Sequence, residues 1–172
     1  MINDPLVKTL LTNVVEDEKN LPIIEALIDG YETDEEIAEK TGIKLNIVRK
    51  ILYKLYDLSL ASYKRSKDSE TQWFTYTWKF EEEEVKNHIV QDSEDYLKML
   101  NEELDREENN MFFICPQGHV RLDFDESSDY EFLCPVCGDE LEFQDNTKNI
   151  EQIKEDIKMV ESNFKSFMEK NQ

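Results

Sequence analysis

The tightest constraint on this chain lies late in it. Cys115-Pro116-Gln117-Gly118-His119 is followed, after a gap of fourteen residues, by Cys134-Pro135-Val136-Cys137-Gly138. Two thiolates three positions apart converge on one ion, and the glycine after them permits a tight turn that aims backbone N–H groups at sulfur. A symmetric ribbon would place a second cysteine where Gly118 stands, but the longer side chain of His119 reaches the same point from one position later. Cys115, His119, Cys134 and Cys137 are therefore expected to form one closed Cys₃His zinc site, structural because it leaves no open coordination position. A redox Cys-x-x-Cys pair would need a βαβ context. Here strand-like residues, Tyr130–Leu133 and Leu141–Phe143, flank the pair instead. The remaining alternative is a ribbon that has lost its metal, with its cysteines serving as small buried hydrophobes. Three cysteines are an odd number and give no disulfide framework. His88 falls in a helical stretch and is expected at the surface rather than at the metal.

Charge divides the 172 residues into unlike parts. The whole carries 40 acids against 20 bases, a net of −20. Residues 1–80 hold 14 acids and 11 bases, whereas 81–110 hold 12 and 3. Residues 111–146 hold 9 acids and one base, Arg121, and 147–172 balance at 5 each. A chain so acidic repels nucleic acid unless its cations are gathered in one place. With only four glycines and four prolines, long helices are favoured over loops. No run approaches the ~18 apolar residues of a membrane span. The first helical stretch lacks a basic leader and a cleavage site. A soluble, cytoplasmic protein is the expectation.

Residues 1–80 read as helices followed by a hairpin. Leu6, Leu10, Leu11, Val14 and Val15 recur at helical spacing, as do Ile23, Ile24, Leu27 and Ile28. Thr33 with Glu36 is a capping box that starts a short helix ending at Gly42. A longer helix then shows Ile47, Ile51, Leu55 and Leu58 on one face, flanked by Val48 and Leu52. Two helices around a glycine turn have the form of a helix-turn-helix. The period then changes: Phe74, Tyr76, Trp78 and Phe80 alternate with Trp73, Thr75, Thr77 and Lys79 at strand spacing. Ala61–Lys64 is the candidate partner strand and Ser66–Thr71 the loop, which together make a winged helix. Its candidate contact residues are Arg49, Lys50 and Lys54 on the long helix and Lys64, Arg65 and Lys67 on the wing. A duplex-reading repressor neutralises roughly 6–10 phosphates. The long helix alone cannot supply that, so protein contact is favoured over duplex readout.

Glu81–Asn110 is sparsely apolar, with Val85, Ile89, Tyr96, Leu97, Leu100 and Leu104, and reads as one helix or a pair broken near Gln91-Asp92-Ser93. Ile150, Ile153, Ile157, Val160, Phe164 and Phe167 alternate at spacings of three and four, a seam expected to pack within the chain on that acidic helix. The expected fold is α+β: winged helix (1–80), acidic helical linker (81–110), zinc ribbon (111–146) and terminal helix (147–172).

That order of parts resembles the archaeal transcription factor E family, counterpart of the alpha subunit of TFIIE. The resemblance covers essentially the whole chain. It rests on Thr41–Leu55, on Trp73-Phe74-Thr75-Tyr76-Thr77-Trp78, and on Phe113-Ile114-Cys115-Pro116 with Cys134-Pro135-Val136-Cys137-Gly138. The departure is Gly118 in place of a zinc cysteine. The resemblance implies a non-enzymatic general initiation factor that binds the clamp and stalk of RNA polymerase and works with basal promoter-binding factors. It further implies stabilisation of the open promoter complex by contact with the displaced non-template strand, and leaves room for a second subunit. The competing class is a sequence-specific winged-helix repressor, metal-responsive through the cysteine site. That would need a dimer and a concentrated basic face.

Overall fold

The computed structural model describes residues 4–171, and the chain is of mixed α+β class. It begins with α1 (Pro5–Val15), a single 3₁₀ turn (Glu18–Asn20), α2 (Leu21–Ile28), α3 (Asp34–Thr41) and α4 (Leu45–Asp57). An antiparallel hairpin of β1 (Ala61–Lys67) and β2 (Phe74–Phe80) follows. A long helix, α5 (Glu82–Asn109), leads to β3 (Phe112–Ile114), β4 (Arg121–Asp123), α6 (Phe124–Asp129), β5 (Glu142–Gln144) and α7 (Thr147–Lys170). The chain gathers into two compact units, Met1–Asp92 with Lys170–Gln172, and Ser93–Glu169.

Local chemistry accounts for the first unit. Asp4 caps α1, and Thr33 and Glu36 form a complete capping box at α3. Gly42 closes α3 with φ +69°, a left-handed value that favours glycine and turns the chain into α4. The core is Val7, Leu11, Val15, Ile23, Ile24, Ile37, Val48, Ile51, Leu52 and Leu55, all essentially inaccessible. Ile47 and Leu58, expected on the inner face of α4, are instead about 40% exposed (39% and 41%). The buried stripe is centred on Val48 and Leu52, one position round the helix. Trp78 is buried, packs edge-on against Tyr53 at 5.4 Å, and donates its backbone N–H to the Glu32 carbonyl at 2.7 Å. β1 runs three residues further than its sequence suggested, so the loop keeps six residues but shifts from 66–71 to 68–73. Asp68 closes it by accepting from the N–H groups of Glu70 and Thr71.

In the second unit β3 is the central strand, flanked by β4 and β5, both antiparallel to it. The helix α5 is unbroken through Gln91-Asp92-Ser93, since no glycine or proline interrupts it. Val85, Ile89 and Leu100 are its buried apolar residues. Residues 130–133 are not a strand. Asp123 and Glu126 form a second capping box that starts α6, and the turn after it occupies that stretch, with one bridge from Leu133 to Glu140. On α7, Ile153 and Phe167 are buried and the other seam positions half-buried. Lys154 pairs with Glu108 of α5 at 2.5 Å, and Asn146, just before α7, donates to the Glu107 carbonyl and carboxylate at 2.8 Å.

Candidate metal centre and basic hairpin

Two turns bring the four predicted metal donors together. In the first, Gly118 donates its N–H to the Cys115 carbonyl at 2.8 Å; in the second, Gly138 does the same to Cys134 at 2.8 Å. Both glycines have left-handed φ, +76° and +79°. A cysteine at position 118 would have to adopt that strained backbone, whereas His119 donates from the residue after it. The Cys115, Cys134 and Cys137 sulfurs and a His119 ring nitrogen all lie within 4.8 Å of one another. His119 Nδ1 is 3.5 Å from the Cys115 sulfur and 3.9 Å from that of Cys134, and the Cys115 and Cys137 sulfurs are 3.5 Å apart. Ligands of a tetrahedral zinc with Zn–S bonds of about 2.3 Å are separated by about 3.7 Å. The cluster is compatible with a structural zinc.

The sulfurs are electrostatically unequal. Burial opposes ionisation of Cys134, but the N–H groups of Cys137 and Val136 and the neighbouring thiols outweigh it and bring the Cys134 thiol down to about 6. The Asp139 N–H favours a thiolate on Cys137, but desolvation and crowding by Cys115 and Cys134 push that thiol up to about 11. One negative charge is thus accommodated readily and the next resisted. A divalent cation would relieve that repulsion. His88 takes no part: its Nε2 lies 2.7 Å from the Leu58 carbonyl, at the end of α4.

The six predicted contact cations fall into two groups. On α4, Arg49 is held by Asp34 and by Glu35, the latter at 3.3 Å. Lys50 and Lys54 both pair with Glu16, Lys50 at 3.1 Å. Those two lysines hold the Glu16 carboxyl below its ordinary value, Lys54 first. Three bases on α4 thus face three acids, and the helix presents no excess positive charge. On the hairpin, Lys64, Arg65 and Lys67 have no ion-pair partner among the described residues. The strand register separates them. Arg65 and Lys67 share a face with Tyr76 and Phe74, over whose ring their cations lie at 4.6 and 5.8 Å, whereas Lys64 pairs with Thr77 on the opposite face. Phe74 is 50% and Trp73 76% exposed. Both line a cavity of ≈ 430 Å³ that Tyr53, Tyr76, Trp78 and the Arg49 ion pair complete. Sequence alone did not separate these exposed rings from the buried Trp78.

A family described as the TFIIE alpha subunit matches residues 5–109. Transcription factor E of Methanobrevibacter smithii is 74% identical over 99% of this chain and 98% of its own length. The Transcription factor E of Methanocaldococcus jannaschii is 45% identical over 96% and 97%. A solved structure described as a possible transcriptional regulator from Methanosarcina mazei Go1 superposes with TM-score 0.51 at 13% identity, covering 60% of this chain and 89% of its own, a likeness of fold alone. Among the described residues no helix is long and apolar enough to cross a membrane. The chain belongs to the transcription factor E family of general transcription initiation factors, the relatives of the TFIIE alpha subunit.

Proposed function

We propose that this chain acts in the cytoplasm without catalysis of its own, binding the clamp and stalk of RNA polymerase beside the basal promoter-binding factors and holding the promoter open. Residues 1–80 serve as a winged helix, 81–110 as the acidic connection, 111–146 as a zinc ribbon and 147–172 as the terminal helix. Cys115, His119, Cys134 and Cys137 hold one zinc, whose role is to fix the two turns. Arg49, Lys50 and Lys54 contribute to protein contact at most, because phosphates approaching α4 would have to displace Asp34, Glu35 and Glu16.

The observation that carries the reading is the contrast between neutralised α4 and Lys64, Arg65 and Lys67 of the hairpin, which have no ion-pair partner among the described residues, set beside exposed Trp73 and Phe74. Aromatic faces with nearby cations suit an unstacked single strand, since every base has a π-face. A factor that binds melted promoter better than closed promoter shifts the equilibrium by its differential affinity. The same contrast argues against the repressor, which needs its recognition helix free to meet the major groove. The test neutralises Lys64, Arg65 and Lys67 together, each to Gln, in reconstituted initiation. Stimulation of open-complex formation should fall more than polymerase binding does. Unchanged stimulation, or tight sequence-specific binding of the wild type to free duplex, would reject the reading.

A further inference from the structure

One face of the second sheet carries an aromatic row whose inner members, Phe113 and Leu122, pack against Cys115, Cys134 and Leu141, and whose outer members are exposed among the described residues of its unit. The register places Phe113 of β3 opposite Leu122 of β4 and Phe143 of β5, so these three form one row across the sheet. Phe124 and Phe132 extend the row. Phe113 meets Phe132 at 5.0 Å, Phe143 at 5.9 Å and Phe124 at 6.3 Å between ring centroids, and Phe124 meets Phe132 at 5.5 Å. Phe112, on the opposite face, is fully buried beneath the Arg121 guanidinium. The outer rings of the Phe113 row are exposed, Phe143 61% and Phe124 46%, while Phe113, Leu122 and Phe132 are half-buried. Contiguous exposed apolar patches of this kind mark interaction sites.

Backbone conformation supplies a second observation. Glu131 and Phe132 are both left-handed, with φ +53° and +58°. Neither is a glycine, and such values are costly for residues with side chains. The strained turn brings the Phe132 ring into edge contact with Phe113.

Charge selects the occupant. Residues 111–146 carry nine acids, among them Asp125, Glu126, Asp129 and Glu131 on α6 and the turn after it. Their one base, Arg121, is engaged by Glu107. Nucleic acid and a second copy of this chain would both meet like charge there. We propose that the Phe113 face docks a protein surface that presents an aliphatic or aromatic anchor ringed by Lys and Arg. Resting on the initiation-factor reading, that surface belongs to the polymerase.

The test uses the full chain and purified archaeal RNA polymerase. Phe143→Ala and Phe124→Ala should each weaken binding by about tenfold, as removal of a central interface anchor does. Met159→Ala, exposed on α7, should not. Circular dichroism and metal content identify a variant that has merely misfolded. Phe143→p-benzoylphenylalanine repeats the test without truncation, and should crosslink to a polymerase subunit. Wild-type binding that neither alanine weakens would overturn the face while leaving the polymerase reading in place. Absence of wild-type binding would remove that reading, and the proposed occupant with it. Crosslinking of position 143 to DNA or to a second copy of the chain would also overturn it.

Discussion

Glu107 and Arg121 form a two-pronged ion pair, each carboxylate oxygen 2.9 Å from a guanidinium nitrogen. Glu107 lies on α5 and is 4% exposed; Arg121 lies on β4, stacks over Phe112 at 3.7 Å and donates to Gln144 at 2.6 Å. Asn146 completes the shell around the carboxylate. The single base of residues 111–146 is thus spent on joining their sheet to α5 and does not offset the acidity of its surroundings.

Arg121→Ala leaves a buried carboxylate without its partner, which costs more than the pair itself contributes. We expect a loss of about 3 kcal/mol, the low end for a buried pair because the Arg121 side chain is 31% exposed, confined to the second unit. Hydrogen exchange should show β3, β4 and β5 opening earlier while α1 to α4 are unaffected. Uniform destabilisation of the whole chain would contradict this.

Burial opposes the charge on Glu107, but Arg121 and Asn146 outweigh it and hold the carboxyl below its ordinary value. A lowered native pKa adds stability above the unfolded value of about 4.3 and withdraws it as pH falls through the native pKa. The difference in melting temperature between the wild type and Glu107→Gln should therefore be constant near neutrality and shrink below pH of about 4. A difference independent of pH down to 2 would mean that the Glu107 charge is not what matters. Comparing the two proteins cancels the many other carboxylates of a chain at net −20.

Much of this was legible in the sequence, for identifiable reasons. The capping box at Thr33, the glycine stop at Gly42 and the a/d seam of α7 are local signals, and each is found where its pattern lies. The Cys₃His grouping was legible because its spacing is a local pattern, and the structure draws the four residues into one cluster that could hold a metal. Glu107 was missed because it occupies a seam position, three residues past Leu104, where only an apolar residue was sought. The signal was Arg121, a lone base that must find an acid. The short helix α6 was missed although Asp123 and Glu126 spell a capping box, because the apolar run at 130–133 suggested a strand. Which hairpin aromatics are exposed depends on tertiary contacts with α4, and period-two alternation does not encode those.

The Cys₃His cluster is expected to carry one zinc per chain under reducing conditions without chelator. His119→Ala should weaken retention and Cys134→Ser should abolish it, with unfolding limited to residues 111–146. His88→Ala should leave zinc untouched, because its ring belongs to the end of α4. Metal analysis after dialysis reads all three. Full retention by His119→Ala would place the fourth ligand elsewhere.

The central claim is that the chain favours melted over closed promoter through Lys64, Arg65 and Lys67 of the hairpin, which have no ion-pair partner among the described residues, while its α4 cations are neutralised. Permanganate reactivity of thymines in the promoter bubble measures this most directly, with polymerase and the basal factors present and the protein added or withheld. The account predicts higher reactivity with the protein, most clearly on promoters that melt poorly, and loss of the gain when Lys64, Arg65 and Lys67 are neutralised. Reactivity unchanged by the wild-type protein, at concentrations where it is bound to polymerase, would contradict it.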